Sequence, residues 1–251
     1  MTAASFTKTY RSVEQAETAA RHHRWLTTHA QPMHQPALLE IRTSTLSFER
    51  IDGRHAGPGD LVKLAGLMGD AHGSAWTSDL HRATLDIPHT FSDGTLFPDY
   101  LSGREAALRC RLEQGHLPDK AALHAMLCLL EKTADGPCAF YKDSNPRNFL
   151  ITSDGTCFAV DTDDLTLAPP GYDLAKLIAT LLMSYGPLAP SAITEALAAY
   201  NRAAGRHDPL LATTPRERLD DFLALHSVLT APYAGRHGYH YAPPSSRNEG
   251  S

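Results

Sequence analysis

The chain has 251 residues, and no apolar run in it approaches the ~20 residues that a membrane-spanning helix needs. The first residues, MTAASFTKTYRSVEQ, contain no apolar core of a secretory signal, so export is not expected. Charge is sparse: 20% of residues are Asp, Glu, Lys or Arg against 42% hydrophobic, a balance that excludes a disordered chain and supplies a core. Neither sign dominates, with a formal charge of -5, so general attraction to nucleic acid or anionic lipid is excluded. The four cysteines, Cys110, Cys128, Cys138 and Cys157, form no CxxC pair. They read as reduced thiols of a cytoplasmic protein, not as a zinc site or a disulfide frame. No fixed-period repeat is present.

What is present is a change of pattern along the chain. SFTKTYR (5–11) alternates as a short strand, and Ser12 stands where an N-cap would before a helix over 13–29. Two strand-like segments follow, ALLEIRT and TLSFERI, then a turn at Asp52-Gly53 and a glycine-rich linker, GRHAGPGD. Asp60 stands as N-cap of LVKLAGLMGDAH, and further helices are expected over 103–113 and 119–132. CAFYKDSNPRNFLITSDGTCFAVDTDDLTL reads as strand, loop, strand, tight turn, strand, with Ser153-Asp154-Gly155 as a hairpin turn. Three helices follow, at YDLAKLIATLLMSYG, SAITEALAAYNRAAG and PRERLDDFLALHSVL. The expected units are a small N-terminal part (1–55), a larger helical part (56–233) and an unstructured tail (234–251).

The chemistry lies in Tyr141-Lys142-Asp143-Ser144-Asn145-Pro146-Arg147-Asn148. An Asp followed five places on by Asn is the catalytic-loop spacing of kinases. The carboxylate takes or orients the proton of an attacking hydroxyl, while the amide oxygen helps to hold magnesium. Pro146 stiffens the link between them. Asp161 follows at the end of the strand CFAV, where a second metal-ligating carboxylate would stand.

Together, FYKDSNPRNFLITSDGTCFAVDTDDLTLAPPGYDLAKL resembles the core of the aminoglycoside phosphotransferase and choline kinase family. That family reads H-G-D-x-x-x-x-N, then I-D-[FWY]-[ED], then a Y-D-L-A helix start. The resemblance implies an α+β, two-lobed protein-kinase-like fold with a truncated N-terminal lobe and a mainly helical C-terminal lobe. It implies Asp143 as the catalytic residue, Asn148 and Asp161 as metal ligands, and Asp173 as a brace for the loop. Asp163 falls on the second acid of the family's metal segment. FERIDGR resembles the hinge strand, so Phe48, Glu49, Arg50 and Ile51 would line the base, and His72 falls in a helix resembling the family's L-x-x-L-H. The implied ligands are ATP (or GTP) with Mg2+ and a small hydroxyl-bearing acceptor.

Two departures stand out. The family's His-Gly before the catalytic Asp is Tyr141-Lys142 here, placing a cation beside Asp143 or a lysine in solvent. The natural phosphate-binding lysine, Lys8, has only seven residues before it, none of them glycine, so the loop that covers nucleotide in kinases is not evident. Lys8 would pair with an acid of the following helix, Glu17 in first place and Glu14 in second. The principal expectation is transfer of a γ-phosphoryl group to a small molecule, an aminoglycoside, other amino sugar or amino alcohol among them. Glu195, Glu217, Asp220 and Asp221 are acids that would suit a cationic acceptor. The alternatives are a degenerate, non-catalytic binding module or partner subunit whose N-terminal lobe another protein completes, and a kinase of peptide Ser or Thr. A phosphohydrolase using Asp161 and Asp163 would need a βαβ series that the chain lacks.

Overall fold

The computed structural model describes residues 5–243. The chain opens with β1 (Ser5–Thr9), α1 (Val13–His29), β2 (Leu38–Arg42) and β3 (Thr45–Glu49), in an antiparallel sheet of order β1-β3-β2. Ser12 caps α1 as expected, its side chain accepting from the Gln15 N–H at 3.3 Å. Ala19 and Ala20 on the inner face of α1 let it lie close on Leu46, with Tyr10, Leu38 and Phe48 around the contact. In β1, side chains alternate across the sheet, so Phe6 and Lys8 share one face while Thr7 bonds Ser47 at 3.0 Å on the other.

The linker is not all loop. Arg54–His55 forms a short strand, β4, antiparallel to a strand of the hairpin that turns at Ser153-Asp154-Gly155. Asp60 precedes α2 (Leu61–Ser78) but does not cap it; its carboxylate takes Arg54 at 2.7 and 2.8 Å and the Gly57 N–H at 2.8 Å. The segment expected to lack periodicity contains a two-residue ladder, β5 (His89–Thr90) with β6 (Leu96–Phe97). Helices α3 (Ser102–Glu113) and α4 (Lys120–Lys132) follow. Then come β7 (Ala139–Tyr141), β8 (Phe149–Ile151), β9 (Cys157–Ala159) and β10 (Thr166–Ala168). β8 and β9 pair across the expected turn, where Gly155 takes the left-handed φ of 85° and Asp154 accepts from the Thr156 N–H. β4-β8-β9 and β7-β10 are separate small sheets.

Three helices complete the C-terminal part: α5 (Tyr172–Tyr185), α6 (Pro190–Gly205) and α7 (Arg216–Thr230). α5 is apolar on most faces and is buried from Tyr172 to Leu181; α7 and α2 pack against it, while α6 packs on α2. Gly69 of α2 sits against α6; a Cβ there would lie 2.4 Å from the Tyr200 carbonyl oxygen, so only glycine allows this approach. Residues 234–243 depart from the expectation of an unstructured tail. His240 and Tyr241 donate their N–H groups to the Met183 carbonyl at 2.8 and 2.9 Å, and Tyr239 is buried. The rest of the expected tail lies outside the described residues. No helix among the described residues is long and apolar enough to cross a membrane.

Candidate active site

The loop that carries Asp143 runs from the end of β7 into a single 3-10 turn, Pro146–Asn148, that leads into β8. Asn145 caps that turn, accepting from the Arg147 N–H at 3.0 Å. Asp173, in the first turn of α5, reaches across and accepts from the Ser144 N–H (2.8 Å) and hydroxyl (2.7 Å) and, more weakly, from the Lys142 N–H (3.4 Å). It is thus in contact with the loop that the family resemblance gave it to brace. Asp173 is fully buried; desolvation pushes its pKa up, against the lowering influence of Lys142 and of the Ser144 donors.

Two backbone positions are unusual. Asp143 (φ 60°) and Asp161 (φ 58°) are left-handed, and His237 is the one other non-glycine residue among those described with positive φ. Aspartate tolerates this region better than most residues, at a cost of about 1–3 kcal/mol, and such positions cluster at functional sites. Two of the three are the carboxylates that the sequence singled out.

The Asp143 carboxylate receives the Tyr141 hydroxyl at 2.7 Å and the Lys176 ammonium at 2.9 Å, both on Oδ1. Burial would raise its pKa, but Lys176 and the Tyr141 hydrogen bond outweigh that and hold it below the usual carboxylate range. Asn148 is buried and donates its Nδ2 to the Asp143 carbonyl at 2.9 Å, which leaves its Oδ1 uncommitted. Its own carbonyl takes the Val160 N–H at 3.0 Å, tying the loop to the strand that ends in Asp161.

Asn148, Asp161 and Asp163 line one cavity of about 540 Å³, together with Phe6, Lys8, His23, Phe48, Glu49, Arg50, Ile51, Leu150 and Val160. The predicted hinge residues therefore border the same space as the predicted metal and phosphate groups. Phe6, Phe48, Ile51, Leu150 and Val160 supply apolar lining, and the end at Asp161 and Asp163 carries charge.

Lys8 lies at that end but not as expected. Its ammonium pairs with Asp161 Oδ1 and Asp163 Oδ2. Burial lowers the Lys8 pKa, yet the two carboxylates prevail and raise it. Glu17 is solvent-exposed and makes no ion pair among the described residues, so the expected Lys8–Glu17 pair is corrected, as is the second choice, exposed Glu14. The reason is helical phase. α1 turns Ala16, Ala19, Ala20 and His23 toward the sheet, which rotates residues 14 and 17 away from it. Tyr10 also donates to Asp163, at 3.0 Å, and burial with the nearby carboxylates drives its own pKa well up.

The donor set suits a hard divalent cation: two carboxylates and one amide oxygen, with no sulfur or imidazole. An ammonium ion bridging Asp161 and Asp163 shows that cationic charge is accommodated between them. Among the described residues no three His, Cys, Asp or Glu side chains gather into a closed metal cage.

Lys142 is not the solvated lysine that its sequence position allowed; it lies near enough to Asp143 to favour that carboxyl's ionised form, without pairing with it. It is buried to 2% exposure, its amine lies 4.2 Å above the Phe149 ring, and it has no hydrogen-bond partner among the described residues. Desolvation lowers its pKa despite Asp173 and Asp143 nearby. Tyr141, in place of the family's His, keeps a hydrogen bond to Asp143. It also stands over the buried Arg104 guanidinium, which Tyr100 and Tyr172 enclose with ring centroids 4.5–5.0 Å away. His22 contacts the Asp163 carbonyl and His23 the Pro36 carbonyl (2.8 Å), so the histidine pair holds backbone, not metal. Arg147 packs over the Tyr239 ring at 4.5 Å.

Sequence reasoning missed Lys176 and Tyr10. Lys176 was visible in principle: it lies three residues after Asp173, one helical turn along the same face. Tyr10 lies two residues after Lys8, but a strand register does not show what crosses from a distant hairpin.

Against known proteins, the model of the phosphotransferase enzyme family matches residues 6–217. The chain belongs to that family and is a kinase-like phosphotransferase. No curated protein sequence gives a match. Among solved structures, the macrolide 2'-phosphotransferase of Brachybacterium faecium is 15% identical, with a TM-score of 0.57 over 99% of this chain and 85% of that one. The choline kinase of Streptococcus pneumoniae is 13% identical, with a TM-score of 0.59 over 93% and 77%. An amicoumacin kinase, solved with AMP-PNP, Ca2+ and its antibiotic, is 14% identical, with a TM-score of 0.57 over 91% and 73%. At these identities the similarity defines a shared kinase-like fold.

Proposed function

We propose that the protein transfers the γ-phosphoryl group of ATP (or GTP) to a hydroxyl of a small molecule. The observation that carries this reading is the convergence of Asn148, Asp161 and Asp163 on one cavity, with Asp143 on the loop that Asn148 ties down. The apolar lining of that cavity, Phe6, Phe48, Ile51 and Leu150, takes the base, and the hinge backbone at residues 50 and 51 reads its edge. Lys8 leaves the carboxylates for the phosphates when nucleotide enters. Asn148, Asp161 and Asp163 would hold magnesium, which supplies neutralisation of phosphate charge.

Asp143 does the protein's part of the bond-making. Its carboxylate accepts the acceptor's hydroxyl proton as that oxygen forms a bond to the γ-phosphorus and the bond to the bridging oxygen breaks, releasing nucleoside diphosphate. Because Asp143 is held ionised, it is a weak base whose main service is to aim the hydroxyl. The fold's neighbours include kinases of choline and of amicoumacin, and hydroxyl-bearing amino compounds are the first acceptors to try. Two of the acids expected to greet a cation, Asp220 and Asp221, are engaged with Arg216 (2.9 Å) and Lys132 (2.7 Å), so they do not favour a polycation over a neutral sugar.

One observation favours the non-catalytic alternative: no acid of α1 meets Lys8, so the usual anchor of the phosphate lysine is absent. A nucleotide thermal shift with and without magnesium separates the readings. A catalytic site at 100 times its Kd gains about 2.7 kcal/mol. An acceptor screen that follows ADP release then identifies the substrate, with Asp143→Asn as control. That variant binds nucleotide and fails to transfer; equal turnover would remove Asp143 from the mechanism.

A further inference from the structure

Lys176 enters the site from an element that the loop motif does not include. Its ammonium lies 2.9 Å from Asp143 Oδ1, and its side chain is 10% exposed. Tyr141 donates to the same oxygen from 2.7 Å. No donor among the described residues reaches Oδ2, yet the Asp143 side chain is 50% exposed. A buried ammonium needs a partner, and among the described residues Asp143 is the one carboxylate within ion-pair reach. Tyr172 of the same helix, His226 of α7 and Tyr239 of the C-terminal segment lie near it without supplying another acid.

A carboxylate has two equivalent oxygens and a soft, two-fold torsion, so by itself it offers an acceptor hydroxyl two positions. Two donors converging on one oxygen remove that degeneracy. We propose that Lys176 is a positioning residue for the transfer: with Tyr141 it occupies Oδ1 and presents Oδ2 alone to the incoming hydroxyl. The inference rests on the reading of Asp143 given above.

The test uses the full chain with Mg-ATP and the acceptor found by the screen, or water as acceptor if the screen finds none. Lys176→Met is expected to lower kcat about 100-fold, the scale of a misplaced reacting group, with the KM for ATP within about twofold. Lys176→Arg restores most of the loss, because a guanidinium can still reach Oδ1. In an Asp143→Asn background Lys176→Met adds no further loss, as expected of a residue that acts through Asp143. A merely structural lysine would lower the melting temperature and leave kcat per folded molecule intact in the single variant. Wild-type kcat in folded Lys176→Met, or a raised KM for ATP with kcat intact, would overturn the proposal. If Lys176→Met does not fold, Tyr141→Phe reads the same oxygen, and unchanged kcat there is equally fatal. A wild-type chain that neither transfers nor hydrolyses ATP overturns the reading of the site and this inference with it. Turnover indifferent to Lys176 sinks the inference alone.

Discussion

Lys142→Met is expected to stabilise the protein. The Lys142 amine is buried without a hydrogen-bond partner, where such a group costs about 1–3 kcal/mol. Its position 4.2 Å above the Phe149 ring returns about 0.5–2 kcal/mol while the amine is protonated. Burial lowers its pKa, so desolvation exceeds the help from Asp173 and Asp143. Methionine preserves the methylene packing and adds a sulfur–ring contact of about 0.3–1.5 kcal/mol. One cost opposes this: Asp173 loses a nearby cation, though it keeps both Ser144 donors. The net expectation is a gain of about 1 kcal/mol and a Tm increase of about 2–4 °C. The pH dependence gives a second check. The unfolded lysine holds its proton up to 10.5, whereas the native one releases it earlier, so wild-type stability rises as pH climbs toward 10.5. The advantage of Lys142→Met is therefore greatest near neutrality and fades in that alkaline window. Urea unfolding at pH 7.5 and 10 measures both effects. A loss of 1 kcal/mol or more at neutral pH would refute the reasoning, because it would make Lys142 a charged partner that the carboxylates need.

Three further outcomes follow from other parts of the fold. Asp173→Ala strands the Ser144 N–H and hydroxyl in a buried site and should cost about 3 kcal/mol in urea unfolding, with turnover abolished; a loss under 1 kcal/mol would deny that it braces the loop. Gly69→Ala forces a methyl to within 2.4 Å of the Tyr200 carbonyl and should cost about 1–3 kcal/mol by calorimetry, whereas an unchanged Tm would mean that α2 and α6 are not held this close. Burial lowers the His72 pKa to about 3, and His23 and His226 are also lowered. Their unfolded forms bind protons near 6.5, so stability is complete above that pH and falls as pH drops below it, for His72 down toward 3 and there by up to about 1.4 kcal/mol per unit, with His23 and His226 adding in the same direction. Unfolding free energies at pH 7 and 5.5 should show that slope, and a flat profile would contradict it.

Short-range chemistry carried far in this chain. The Ser12 cap and α1, the Asp154-Gly155 turn, and the Asp143-to-Asn148 spacing were all legible because each depends on residues within a turn or two. The family pattern then placed Asp161 and Asp173 relative to that loop. Legibility ended where a side chain's partner is set by helix phase and packing. Glu17 looked like the partner of Lys8 because it lies on the next helix, but the inner face of α1 is alanine and the acids that Lys8 meets come from 153 and more positions away. Lys142 read equally as a cation beside Asp143 or as a lysine in solvent, and only the fold buries its amine over Phe149.

The order of elements, the hairpin turn and the loop that carries Asp143 are written in local residue choice, since backbone torsions and caps respond to near neighbours. Which ammonium holds which carboxylate oxygen is a tertiary decision. Lys8 on Asp161 and Asp163, and Lys176 on Asp143, join elements whose separation in the chain says nothing about their separation in space. Coulomb attraction and hydrogen bonding act over a few ångströms, and only the placement of β1 and α5 beside the Asp143 loop and the hairpin that follows it brings those charges within that range.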